Sequence, residues 1–272
     1  MNKVSNLIEI DHDAERLAHD PALMDHVAHV LCLQGEMNIL FNSHHFVLHK
    51  DDIMAVPIQA LLEEKKPSED FRCICIYVGP ELMRVPDTPP HLYLRGTMTV
   101  FKNPIMPVGA EKMKRLTTDV EEIEKRRKCD GHLFQNEVLY HSIQIMMLDF
   151  FDIFARENEE ERSVPFSHLE IMARFMGMLY DETYVQHRRL EYYADKLNVT
   201  TKYLSDVSRT FTGRGASYWI NRFTTTRICL LLKSSSMSFS EIADKFCFSS
   251  PSHFYVYFQK QMGMSPSEYR KA

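Results

Sequence analysis

The feature that most constrains this chain is a repeat close to its C-terminus. Ala194-Asp195-Lys196-Leu197 recurs as Ala243-Asp244-Lys245-Phe246, 49 positions later. Thr212-Gly213 recurs as Met262-Gly263, and Ser217 with Trp219 as Ser267 with Tyr269, each 50 positions later. Self-similarity at this period marks a duplicated supersecondary unit. Each copy reads as a short helix, a tight turn, a second helix, a glycine stop and a new helix start. Alanine at 194 and 243 suits the close approach of two helices beside a tight turn. The single-residue difference in spacing falls between Phe246 and Phe254, in a turn. Helix starts are marked by Ser250 before Pro251 and Ser265 before Pro266. Capping boxes are expected at Ser167/Glu170, Ser238/Glu241 and Ser265/Glu268. One long helix, roughly 216–234, joins the two helix-turn-helix units.

The second helices resolve face by face. Over 201–211, Leu204, Val207 and Phe211 share one side at helical spacing, and Lys202, Asp206 and Arg209 share the other, flanked by Ser205 and Thr210. Over 251–262, Phe254, Tyr257, Phe258 and Met262 are expected to pack inward. Ser252, Val256 and Gln259 then face outward, flanked by His253, Tyr255 and Lys260. A helix anchored on one face and polar or small on the other has the dimensions a DNA major groove admits.

Charge agrees with this division. Residues 166–272 hold 14 Lys and Arg against 9 Asp and Glu, a net of +5, whereas 1–165 carry −10 within a total of −5. A basic C-terminal part beside an acidic remainder points to a polyanion partner for the first alone.

YADKLNVTTKYLSDVSRTFTG together with FSEIADKFCFSSPSHFYVYFQKQMGMSPSEYRK resembles the DNA-binding domain of the AraC/XylS transcriptional regulators, over about residues 166–272. The resemblance implies a seven-helix module whose two recognition helices, about 201–211 and 251–262, enter successive major grooves of double-stranded promoter DNA. It implies a cytoplasmic bacterial regulator that is not an enzyme. Bases would be read by Lys202, Ser205, Asp206 and Arg209 in the first helix and by Ser252, Tyr255, Val256 and Gln259 in the second. Asp206 is expected to orient Arg209 rather than to contact phosphate, and Val256 suits a thymine methyl. Phosphate candidates are Thr201, Arg214, Arg222, Arg227, Lys233, Ser250, Lys260 and Arg270, about half of which are expected to touch DNA.

Ahead of this part, HVAHVLCL, EMNILF, HHFVLH, DIMAVP and FRCICIYV read as short strands parted by QGE, NS, KDD and the charged EEKKPSED. HLYLRGTMTVF at 91–101 adds one or two more. Their spacing suggests an antiparallel sandwich or barrel, loosely similar to the family's cupin-like sensor. From 109 the pattern turns helical, and 132–156 gives a helix whose apolar face serves either a second subunit or the barrel wall. The expected class is therefore α+β and multidomain. A cupin-like sensor occupies 1–108, a helical dimerisation element 109–157, a linker 158–165 and the DNA-binding domain 166–272. A homodimer, RNA polymerase and a small-molecule effector are the further partners this organisation accommodates. No cofactor, metal or membrane is expected.

Two clusters invite sharper chemistry. His44, His45 and His49 lie in the β region, but adjacent residues of a strand point to opposite faces, so they are expected at a surface or pocket rather than on a metal. Cys73 and Cys75 share a strand face, where buried thiols as small apolar fillers are the commoner case. The other functions considered are a cupin-type metal-dependent enzyme with a helical appendage and an assembly protein using the 132–156 helix.

Overall fold

A computed structural model describes residues 4–24, 26–83, 96, 99–129, 131–156 and 165–271. The chain divides into two compact units, Met1–Ser163 and Val164–Ala272.

The first unit is built on two antiparallel sheets. Strands β1 (Ile8–Asp11), β2 (Val27–Gln34), β5 (Asp52–Val56), β7 (Arg72–Val78) and β8 (Ile105–Pro107) form a five-stranded sheet in the order β1-β7-β2-β5-β8. Strands β3 (Glu36–Phe41), β4 (His44–His49) and β6 (Leu62–Pro67) form a three-stranded sheet in the order β4-β3-β6. The arrangement is compatible with a cupin-like fold. Tight turns connect the strands where the sequence supplies residues that tolerate positive φ: Asn42 and Ser43 between β3 and β4 (49° and 65°), and Asp51 before β5 (64°). At Gly35 the chain leaves β2 with φ +71°, and an added Cβ would sit 2.6 Å from Ser68 Oγ and 2.9 Å from Phe71 Cα, so only glycine fits.

Alternation along β2 assigns its two faces. His29 pairs with Ile76 and Leu31 with Ile74, on the side that carries the helices, while Val30 pairs with Cys75 and Cys32 with Cys73 on the opposite side. Helices α1 (Gly109–Lys128) and α2 (Gln135–Arg156) pack on the first side. They contribute Met113, Leu116, Val120 and Ile123 from α1, and Leu139, Ile143, Met147 and Phe150 from α2, to one core with Leu31, Ile53, Ile74 and Ile76. The α1 set recurs at three- and four-residue steps, which is how a strongly charged helix still buries one stripe. On its exposed side α2 leaves Ile145 58% and Leu148 42% accessible.

Three expectations change. The charged stretch after Leu61 is a strand, not a separator: β6 pairs with β3 at the sheet edge, where charged side chains discourage further pairing. The side chain of Lys65 turns back to the carbonyls of Ala14, Glu15 and Leu17. The strands expected at 91–101 fall largely outside the described residues. Within them 99–102 is helical, with Asn103 N donating to Thr99 O at 3.0 Å, so local helical bonding overrides the β-branched pattern. Ser167 and Glu170 form no capping box, because helix α3 (Phe166–Tyr180) begins at Phe166 with Pro165 as its N-cap and Ser167 already lies inside the first turn.

The thiols are closely grouped. Cys73 Sγ and Cys75 Sγ are 3.8 Å apart and buried, with Cys32 also buried. Burial pushes the Cys32 thiol up to about 12. For Cys75 the hydrogen bond with Cys73 acts first, then burial, in the same direction. The protonated form is held, and thiolate chemistry is suppressed. His44, His45 and His49 are exposed. Nδ1 of His44 lies 2.9 Å from the Asn42 carbonyl and Nδ1 of His49 lies 3.5 Å from Glu36 Oε2. Among the described residues no group of His, Cys, Asp and Glu could hold a metal ion, and no helix is long and apolar enough to cross a membrane.

Candidate nucleic-acid interface

The second unit continues from α3 with α4 (Leu190–Lys196), α5 (Thr201–Thr212), α6 (Ala216–Ser234), α7 (Phe239–Lys245), α8 (Pro251–Met262) and α9 (Pro266–Lys271). The sequence repeat is a repeat of backbone geometry. After α4, Asn198 adopts φ 55°, with Leu197 N bonded to Tyr193 O, Asn198 N to Asp195 O and Val199 N to Ala194 O. After α7, Cys247 adopts φ 52°, and Phe246, Cys247 and Phe248 make the same three bonds to Ile242, Asp244 and Ala243. Ala194 and Ala243 are buried, as close helix approach demands.

Each second helix then starts on a hydroxyl. Thr200 Oγ1 accepts from Tyr203 N at 3.1 Å, and Ser250 Oγ accepts from His253 N at 3.1 Å. Each stops at a left-handed glycine, Gly213 (φ 70°) and Gly263 (φ 72°), whose N–H returns to Arg209 O and Gln259 O at 2.9 Å. The extra residue of the second copy therefore lies between Cys247 and Ser250. Ser238/Glu241 and Ser265/Glu268 form complete capping boxes.

Packing fixes which faces remain outward. In α5, Leu204, Val207, Ser208 and Phe211 are buried, while Lys202, Asp206 and Arg209 are exposed and Ser205 is half-buried. Arg209 Nη1 donates to Asp206 Oδ1 at 2.8 Å. In α8, Phe254 and Phe258 are buried, while Ser252, Gln259 and Lys260 are exposed and Val256 is 65% accessible. Tyr255 is half-buried, bonding Ser267 through its hydroxyl at 2.9 Å with its ring edge-to-face with Phe239. This ties its tip to α9.

Of the phosphate candidates, Thr201 and Ser250 lie at helix N-termini, and Lys233 and Lys260 are exposed. The Lys233 ammonium also lies 5.3 Å from the Tyr269 ring centre. Arg214 is half-buried over the Tyr218 ring, and Arg222 is half-buried on α6. Arg227 pairs with Glu182 at 2.9 Å. Arg270 is committed to the fold: it donates to Leu232 O at 3.3 Å and Met237 O at 2.7 Å and lies 4.3 Å from the Phe239 ring centre.

Sequence reasoning missed Arg188. Its guanidinium sits 3.5 Å from the ring centre of Phe248 and donates to Cys247 O at 3.2 Å, joining the entry of the first helix-turn-helix to the turn of the second. Tyr257 reinforces the join from α8, its hydroxyl 3.1 Å from Asn221 Oδ1 of α6. The available signal was the Arg188-Arg189 pair just before α4, but nothing in the sequence says which ring it meets.

A basic helical unit that presents two capped helices from duplicated, matched turns is a DNA-binding module. Residues 193–272 match the family described as "Helix-turn-helix domain", and this segment is an AraC-type helix-turn-helix domain of the kind found in DNA-binding transcriptional regulators. No curated protein sequence matches the chain. Among solved structures it is similar to ToxT from Vibrio cholerae with an unsaturated fatty acid bound (12% identity, 91% of this chain and 87% of that chain, TM-score 0.51). A second ToxT structure gives 12% identity, 91% and 90% coverage and a TM-score of 0.50. The C-terminal domain of AraT, a response regulator from Geobacillus stearothermophilus, is 27% identical over 37% of this chain and 84% of that chain, with a TM-score of 0.34. The ToxT likeness establishes a shared two-part fold: antiparallel sheets followed by a helical unit.

Proposed function

We propose that this chain is a cytoplasmic, non-enzymatic transcriptional regulator that inserts α5 and α8 into successive major grooves on one face of promoter DNA. The observation that carries this reading is the matched pair of turns and caps, which gives both helices one polar outward face. Lys202, Ser205 and Arg209 would read bases in the first groove, with Asp206 holding Arg209. Ser252, Val256 and Gln259 would read the second, and Tyr255 would contribute its ring edge rather than its hydroxyl. Thr201, Ser250, Lys233 and Lys260 lead the phosphate contacts, with Arg214, Arg222 and Arg227 reaching phosphate only by leaving a ring, a half-buried position or an ion pair. The domain scheme is a sensor over 1–108, a helical element over 109–157, a linker over 158–165 and a DNA-binding domain over 166–272. Ile145 and Leu148 support a homodimer through 132–156. An effector for the first unit is supported by the ToxT structure that contains a fatty acid.

Two outcomes test the docking. Arg209→Ala and Gln259→Ala are each expected to weaken binding to an operator selected from genomic fragments by ~1–3 kcal/mol, with non-specific affinity nearly unchanged. Unchanged operator affinity for both would remove the model. With Lys233 and Lys260 neutralising about two phosphates, raising salt from about 50 to about 200 mM is expected to lower affinity roughly tenfold. A salt-independent affinity would contradict a phosphate-based interface.

A further inference from the structure

The thiols of the five-stranded sheet form a cluster that the DNA-binding reading does not use. Cys73 and Cys75, two residues apart on β7, point to the same face of the strand. Both are buried, and their sulfurs are 3.8 Å apart. Val30 and Met54 continue the Cys75 row across β2 and β5 and are fully buried, so the surroundings are dry and apolar. Cys73 follows the exposed Arg72, which puts the pair a short way in from the surface at the start of the strand. Cys32 pairs with Cys73 across the ladder, but its thiol donates instead to Gln34 O at 3.6 Å and Gly35 O at 3.7 Å.

Two sulfurs held about 2.3 Å from one metal ion stand roughly 3.8 Å apart when the angle between them is near tetrahedral, and about 4.6 Å apart when it is linear. The pair already has the first spacing and reaches the second by small χ1 rotations. We infer that Cys73 and Cys75 form a two-thiolate site for a soft monovalent cation of the Cu(I) class. Soft thiolate ligands favour Cu(I), for which two of them suffice, whereas structural zinc takes four ligands. Sets of three or more His, Cys, Asp and Glu do not converge among the described residues, so the site rests on these two thiols. Binding sends one proton from each thiol to solvent and changes no oxidation state. The bound unit therefore carries one negative charge, and Lys65 supplies the balancing cation. Its ammonium is held by the carbonyls of Ala14, Glu15 and Leu17. Burial lowers the Lys65 pKa, and negative charge on Cys75 and Cys73 opposes that. The coupling is reciprocal: the bis-thiolate favours the Lys65 cation, and that cation favours the bis-thiolate. Thiols that resist ionising alone are thus poor nucleophiles, yet open to an ion that replaces their protons. The regulatory consequence rests on the effector-responsive reading above; the binding itself does not.

Anaerobic titration of the full chain with Cu(I), in competition with bicinchoninate, tests the site. The exposed Cys129 and Cys247 are first replaced by serine so that surface thiols do not compete. This parent is expected to bind one equivalent of Cu(I), with X-ray absorption showing two sulfur neighbours within about 2.3 Å. Adding Cys73→Ser or Cys75→Ser is expected to weaken binding by more than about a hundredfold, beyond what loss of a supporting residue costs. Cys32→Ser is expected to leave the affinity unchanged. Should the Cys73 and Cys75 variants misfold, the Cβ resonances of both residues in the folded parent are expected to move with one equivalent of Ag(I), and that of Cys229 to stay. Absence of Cu(I) binding, full affinity in both serine variants, unmoved Cys73 and Cys75 resonances, or Zn(II) bound as tightly would each overturn the assignment. Cu(I) binding that leaves DNA affinity unchanged supports the site and removes only its regulatory role, whereas operator binding unaffected by the two recognition-helix variants would remove the regulator reading and leave this site standing.

Discussion

Trp219→Ala is expected to destabilise the second unit by ~3–5 kcal/mol, the range for deleting a large aromatic side chain from a packed core. Trp219 is fully buried on α6, and its Nε1 donates to Thr212 Oγ1 at 2.8 Å. Thr212 Oγ1 also reaches Ser208 O at 2.8 Å and Arg214 O at 3.0 Å, so one indole holds the end of α5, the Gly213 stop and the start of α6 together. Truncation therefore opens a cavity and loosens the turn that aims the first recognition helix. Against the ~5–15 kcal/mol typical of a whole domain, this is a large fraction. Because Trp219 is the sole tryptophan in the chain, unfolding must be followed by circular dichroism at the helical band rather than by fluorescence. Trp219→Phe, which keeps most of the volume and loses the donor, is expected to cost about 1–2 kcal/mol. Equal stability for Trp219→Ala and the parent would show that the indole is not a keystone of the turn.

Acidification is expected to weaken the first unit by about 3 kcal/mol between pH 7 and pH 4 through His29 alone. The cause is burial, which lowers the folded-state pKa to about 4 from an ordinary value of 6.5. The unfolded chain takes up a proton as pH falls through 6.5, while the folded chain resists until about 4. The folded state thus binds fewer protons across that window, and the stability present above pH 6.5 is lost progressively below it. Hydrogen exchange of peptides spanning β2 is the localised measurement, and His29→Leu is expected to remove this component of the pH dependence. An unchanged pH profile in that variant would place the titration elsewhere.

The C-terminal unit was the more legible of the two because its signals are local. Caps, glycine stops and the Ala-Asp-Lys repeat specify backbone positions within a few residues of themselves, and the left-handed Asn198 and Cys247 fall in the turn the repeat marks. Asp206 and Arg209, three residues apart on one helix face, meet by helical geometry alone. What the sequence concealed is tertiary. β1 carries only the short alternation Ile8-Glu9-Ile10-Asp11 and exists because β7 is there to pair with it. The charged β6 reads as a linker until β3 supplies its partner. Ring partners such as Phe248 for Arg188 and Tyr269 for Lys233 join residues far apart in the chain, and no periodicity announces them.

The 19-residue α6 has a consequence for the operator itself. At 1.5 Å per residue it spans roughly 28 Å, close to the ~34 Å separating equivalent groove positions one DNA turn apart. Arg188 and Tyr257 tie the two helix-turn-helix units together, so in the proposed docking the module would act as a caliper holding its two readers at a fixed spacing. Adding about five base pairs between the two half-sites would rotate one of them to the far side of the duplex, where the second helix could follow only by breaking that clasp. Under that docking, helical phase as much as base identity would define what this domain accepts as a site.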